Sequence, residues 1–141
     1  MTIDFLSLRG DVTIKLNDEV VLDKKNLIVQ VGKNYLANAV LSSATSPFTH
    51  MAVGTGTTAA ALSDTALTSE LARQAFTTAS VTTNVATIVT TYAAGTATGA
   101  ITEAGIFNAS SSGTLLSHVV FSAINKGAAD SLTITWTITV G

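Results

Sequence analysis

The chain has 141 residues, no cysteine, seven basic and nine acidic residues, and a formal net charge of −2 at pH 7. That length suits one domain with a core of its own. The missing cysteines exclude disulfides, thiolate chemistry and cysteine-based zinc sites, and the charge gives no basic footprint for nucleic acid or an anionic membrane.

Charged residues make up only 11% of the chain, against about 25% in an average domain. Ten of them lie in the first 33 residues, which form a more charged leading segment of the single domain 1–141. The rest of the chain holds Asp64, Glu70, Arg73, Glu103, Lys126 and Asp130. A free surface normally carries mixed charge, so a body this neutral is expected to be covered by other protein. The plain alternative is a rigid surface rich in Thr and Ser. The opening MTIDFLSLRGD lacks a basic leader and a long apolar run, so no secretory signal is expected. The uncharged stretch from Gln74 to Thr102 is broken throughout by Thr, Ser, Asn and Gly, and no membrane span is expected there.

In chain order, Val12, Ile14 and Leu16 alternate with Thr13 and Lys15 as in a strand. Asn17-Asp18 is turn chemistry, and EVVLD returns as the hairpin partner. Lys24-Lys25-Asn26 reads as a second turn, before LIVQV. Gly32 ends that strand pattern, and KNYLANAVLSS follows with Leu36, Ala39 and Val40 at helical spacing. Pro47 marks a loop. HMAVG is a short strand running into glycines. AAALSDTALTSELARQ could hold a brief helix capped by Asp64 or Thr68, with Glu70 near Arg73. β-branched runs on either side of Thr83-Asn84 predict a hairpin over residues 76–92. AITEAGIFN and TLLSHVVFS are strands, and AINKGAAD is a loop. Many short strands at turn spacings point to an all-β antiparallel sandwich with one short helix, of possible jelly-roll form.

The last strand, SLTITWTITVG, is the clearest. Leu132, Ile134, Trp136, Ile138 and Val140 share one face, and Thr133, Thr135, Thr137 and Thr139 share the other. The first face needs a core. The second carries no charge, where exposed strands usually do. These four threonines are therefore the candidate protein-interface residues.

Motifs for chemistry are weak. GTGTTA (Gly54–Ala59) fits the dinucleotide pattern, but that site needs a helix opening at the glycines and a parallel strand ending in an acid. Here a Thr/Ala loop follows, so the glycines read as a turn or a close backbone approach. His50 and His118 lack metal-ligand spacing, no G-x-S-x-G elbow is present, and Glu103 has no partner carboxylate nearby in sequence for acid–base work. Glu103 reads instead as a buried hydrogen-bonded or ion-paired acid, with Arg73 the expected partner. No catalytic, cofactor-binding or metal-binding residue is expected. An exposed aromatic platform or a clustered acid pair would indicate a carbohydrate-binding module or small hydrolase, and neither pattern is visible.

Two longer stretches, HMAVGTGTTAAALSDTALTSELAR and GAITEAGIFNASSSGTLLSHVVFSAINKGAADSLTITWTITV, resemble a group of small bacteriophage virion proteins. The resemblance spans roughly residues 27–141; the first 25 residues carry no motif of it. It implies a non-enzymatic structural protein of the virion, assembled in the host cytoplasm, with no catalytic or cofactor residues. The resemblance implies little about the place in the virion, since the group is often labelled tail-fibre-like or simply structural. The first reading is capsid decoration (cement), with the major capsid protein or other virion proteins and further copies of the chain as partners. The alternative is a tail or fibre adaptor. A chain of this length without repeats argues mildly against a fibre.

Overall fold

The computed structural model describes residues 7–42 and 45–141. The elements are β1 (Leu8–Leu16), β2 (Glu19–Ile28), α1 (Gln30–Ala39), β3 (His50–Gly54), β4 (Glu70–Ala75), β5 (Thr78–Thr82), β6 (Val85–Tyr92), β7 (Gly99–Phe107), β8 (Leu115–Lys126) and β9 (Leu132–Val140). The nine strands form one antiparallel sheet in the order β4-β3-β7-β8-β2-β1-β9-β6-β5.

The all-β architecture is thus a sheet folded on itself. β2 is the crease. It pairs with β1 from Glu19 to Asn26 but with β8 only through Leu27↔His118 and Ile28↔Ser117. The two halves then face each other. On the far side the terminal strands β4 and β5 are consecutive in the chain. The link closes the fold: Phe76 N donates to Thr49 O (3.0 Å) and Thr77 N to Val89 O (2.8 Å). Between the halves, Tyr92 Oη donates to Met51 O (2.6 Å) and Gln74 Nε2 to Thr91 O (2.7 Å).

The core lies between the halves. Leu132, Ile134 and Trp136 are fully buried in it, with Val12, Ile14, Tyr92, Ile101 and Ile106. Val140, at the end of the apolar face of β9, is exposed. Trp136 sits between Val12 of β1 and Ile88 of β6. Its indole N–H has a partner, as a buried polar handle requires. With the Asn26 amide nitrogen donating to Gly10 O (2.7 Å), the Asn26 oxygen accepts from Trp136 Nε1 and Ser117 Oγ, each at 3.1 Å.

The hairpin over 76–92 is present as β5–β6, and Thr83 takes the left-handed conformation (φ 56°) in its two-residue turn. Four local expectations are corrected. Residues 70–75 are strand β4, not helix. Glu70 and Arg73 sit three apart, a spacing that suggested a helix, but a register shift between Val53 and Gly54 opposes Gly54 to Glu70 and Val53 to Ala72. That bulge turns Glu70 toward Arg73 (Nη2–Oε1 2.7 Å). The helix begins at Gln30, before Gly32. Gly32 belongs inside it because a Cβ there would lie 2.4 Å from Leu116 O. Lys24-Lys25-Asn26 is not a turn: Lys24 and Lys25 pair with Val12 and Asp11 within β2. Finally, β8 continues through the expected loop residues to Lys126, whose buried side chain donates to Ala93 O (3.0 Å).

Candidate functional site

β7 is buried from Ile101 to Phe107. One face meets the core, and the loop 55–69 meets the other. A register irregularity between Ile101 and Glu103 separates the two roles. Ile101 and Ala104 join the core, while Thr102 and Glu103 bond to the loop. Thr102 Oγ1 donates to Gly56 O (2.7 Å).

Glu103 is fully buried. Its Oε2 accepts from Gly56 N (2.7 Å) and Ser69 N (2.8 Å), and its Oε1 from Thr68 N (2.9 Å). His118, on β8 and also buried, places Nε2 2.8 Å from Oε1. The other ring nitrogen, Nδ1, is 2.7 Å from Asp64 Oδ2, which also accepts from Ala61 N (2.8 Å). The loop is thereby tied to two strands by one carboxylate–imidazole–carboxylate chain. The glycines of GTGTTA serve this approach. A Cβ on Gly56 would lie 2.2 Å from Glu103 Oε2, and one on Gly54 would lie 2.3 Å from Ser69 O.

Burial pushes the Glu103 carboxyl up, but the bonds from Ser69, Thr68, His118 and Gly56 outweigh it and hold the group below its ordinary value. For Asp64, burial again raises; the Ala61 N–H, then the bond and charge of His118, prevail and lower it. Both are therefore ionised acceptors at neutral pH, and both ring nitrogens face acceptors. Glu103 receives four hydrogen bonds, about the full capacity of a carboxylate. Neither Glu103 oxygen is left to take a proton from a substrate. The cluster works as a clamp on the loop.

A pH dependence follows, with a definite sign. A carboxyl depressed in the folded state contributes stability above its unfolded value and loses it as pH falls through the folded one. The melting temperature should hold on the neutral side and drop once pH passes below the ordinary values of 4.5 for Glu103 and 3.8 for Asp64. Thermal melts across this range check it; a melting temperature that rises on acidification would contradict the clamp.

Arg73 does not meet Glu103, as the sequence had suggested. It takes both oxygens of Glu70 (3.0 and 2.7 Å), donates to Ala109 O (3.0 Å) and Ser112 O (2.8 Å), and lies 3.7 Å above the Phe107 ring. It anchors the connection between β7 and β8. His50 bonds to Thr49 Oγ1 (2.8 Å) and takes no part in the cluster. Among the described residues no group of three or more His, Cys, Asp or Glu is disposed to hold a metal ion.

The four candidate threonines are brought together on the outer face of β9, each half-buried between β1 and β6. Thr133 lies beside Lys15 and Thr91, Thr135 beside Thr13 and Val89, Thr137 beside Asp11 and Thr87, and Thr139 beside Arg9 and Val85. The face is therefore uncharged toward β6 but bordered by Arg9, Asp11 and Lys15 of β1. The sequence pattern of one strand did not contain that border. The Glu103–His118–Asp64 cluster was also missed. Its one signal was a lone acid in a neutral region, close in sequence to neither Asp64 nor Arg73.

Comparison of the chain with protein-family models, curated proteins and solved structures found no match.

Proposed function

We propose that the protein is a non-enzymatic structural component of a bacteriophage virion, a capsid decoration protein that binds the outside of the head lattice. The observation that carries this reading is the resemblance of residues 27–141 to small virion proteins. Parts of its sequence blocks meet at the Glu103 clamp. The uncharged part of the threonine face, toward β6, supports it as well, because a charge-poor face loses little on being covered. Every aromatic ring among the described residues is buried or half-buried, which favours this reading over a sugar-binding platform. The mechanism is area burial repeated over many copies. Each apolar contact contributes about 25 cal/mol per Å² before association costs, and symmetry turns weak contacts into avidity.

Copy number in purified particles tests the reading. Hundreds of copies per particle are expected of a head protein. A few to tens would instead favour the tail or fibre role that the same resemblance allows, and absence from particles would overturn both. Thr135→Asp then tests the threonine face. The half-exposed position should accept the carboxylate, so the isolated variant should melt as wild type does while its occupancy on particles falls. Unchanged occupancy would remove this face from the contact.

A further inference from the structure

β5 ends the sheet, and all five of its residues are exposed. It pairs with β6 from Thr78↔Val89 to Thr82↔Val85 without a register shift. Among the described residues no strand pairs with its other side. Unpaired edges recruit further strands, and proteins guard them with charge, proline or bulges. The opposite edge, β4, is guarded by Glu70, Arg73 and a bulge. β5 has none of these: no charged residue or proline occurs from Gln74 to Thr102.

Its two faces differ. Ala79 lies beside Ile88 and Val81 beside Ala86, so these two share the inner side of the sheet. They border an apolar groove of about 740 Å³, also lined by Leu36, Phe48 and Phe76. Val81 is 73% exposed there. Thr78, Ser80 and Thr82 alternate onto the other side.

We propose that two copies of the chain associate through β5, strand against strand, antiparallel, on a two-fold axis at Ser80. A two-fold contact requires one patch to be complementary to itself, and the sequence TASVT is so in this register. Thr78 meets the partner's Thr82, Ala79 meets the partner's Val81, and Ser80 meets the partner's Ser80. Polar pairs lie on one face and apolar pairs on the other. Ala79 and Val81 of both copies form one apolar strip across the joint. No like charges meet, although each chain carries a net charge of −2. Antiparallel self-pairing keeps like faces together in any alternating strand. What suits this edge to a second copy is that it carries no charge to repel its own twin. The pairing goes beyond the virion reading and does not depend on it.

The chain has no cysteine, so single cysteines report the register. Antiparallel partners lie about 4.5–5.5 Å apart at Cα, within the roughly 4.4–6.8 Å that a disulfide spans. Oxidised Ser80→Cys should form a covalent dimer of twice 14.4 kDa. Thr78→Cys and Thr82→Cys should each dimerise poorly alone and cross-link when mixed. Adding Val81→Lys to Ser80→Cys should slow cross-linking about tenfold or more, because lysines enter the apolar strip. Melts of the reduced variants confirm that each is folded. A Ser80→Cys chain that stays monomeric, or three cysteine variants that cross-link equally, would overturn the proposal.

Discussion

Glu103→Ala is expected to destabilise the protein by about 3–5 kcal/mol, the usual cost of removing one member of a buried ionic pair. The change leaves the amides of Gly56, Thr68 and Ser69 without their acceptor and His118 with one carboxylate. Buried donors left unpaired account for most of the loss. Glu103→Gln should not rescue it. Both oxygens receive two donors each, so an amide nitrogen at either place meets N–H groups rather than acceptors. A domain is stable by only about 5–15 kcal/mol, so the variant should show a large fall in its urea midpoint. Amide exchange should quicken first at Gly56, Thr68 and Ser69, since those bonds hold the loop. A midpoint within experimental error of wild type, or unchanged exchange at these three amides, would show that the carboxylate is not the clamp.

Trp136→Ala should cost about 3–5 kcal/mol as well, by a different route. Large-to-small aromatic changes in a core lose transfer energy and leave a cavity. Here the change also removes the indole donor to Asn26, whose oxygen keeps only Ser117 Oγ. Trp136 is the one tryptophan in the chain, so fluorescence reads its surroundings directly. Native emission should resist acrylamide, and the variant should unfold at lower denaturant. Ready quenching together with an unchanged melt would place the ring outside the core.

The two residues differ in how far the sequence revealed them. Trp136 was legible because the strand period puts it in phase with Ile134 and Leu132, and burial follows from that phase alone. The β5–β6 hairpin was legible for a similar reason, since β-branched runs flank a two-residue turn. Glu103 was half legible. A lone acid in a neutral region signals burial, but its partners come from the loop 55–69 and from β8. Only the folded register brings those segments together. The helix expected near Glu70 failed because an acid and a base three apart fit both a helix and a bulged strand, and pairing with β3 decided for the strand. Lys24 and Lys25 resembled a turn because charge is rare inside strands. Lys25 lies on the threonine side beside Asp11, while Lys24 lies in register with core Val12 on the other side, stays exposed and donates its Nζ to Val120 O. The charge bordering the threonine face lay one strand away, where the pattern of β9 alone could not show it.

Imaging intact phage particles tests the central claim most directly. A capsid decoration protein predicts density for this folded nine-stranded sheet on the outer head surface, repeated with the lattice and missing from particles that lack the protein. Particles whose heads lack that density would contradict it, whether or not it is found on the tail.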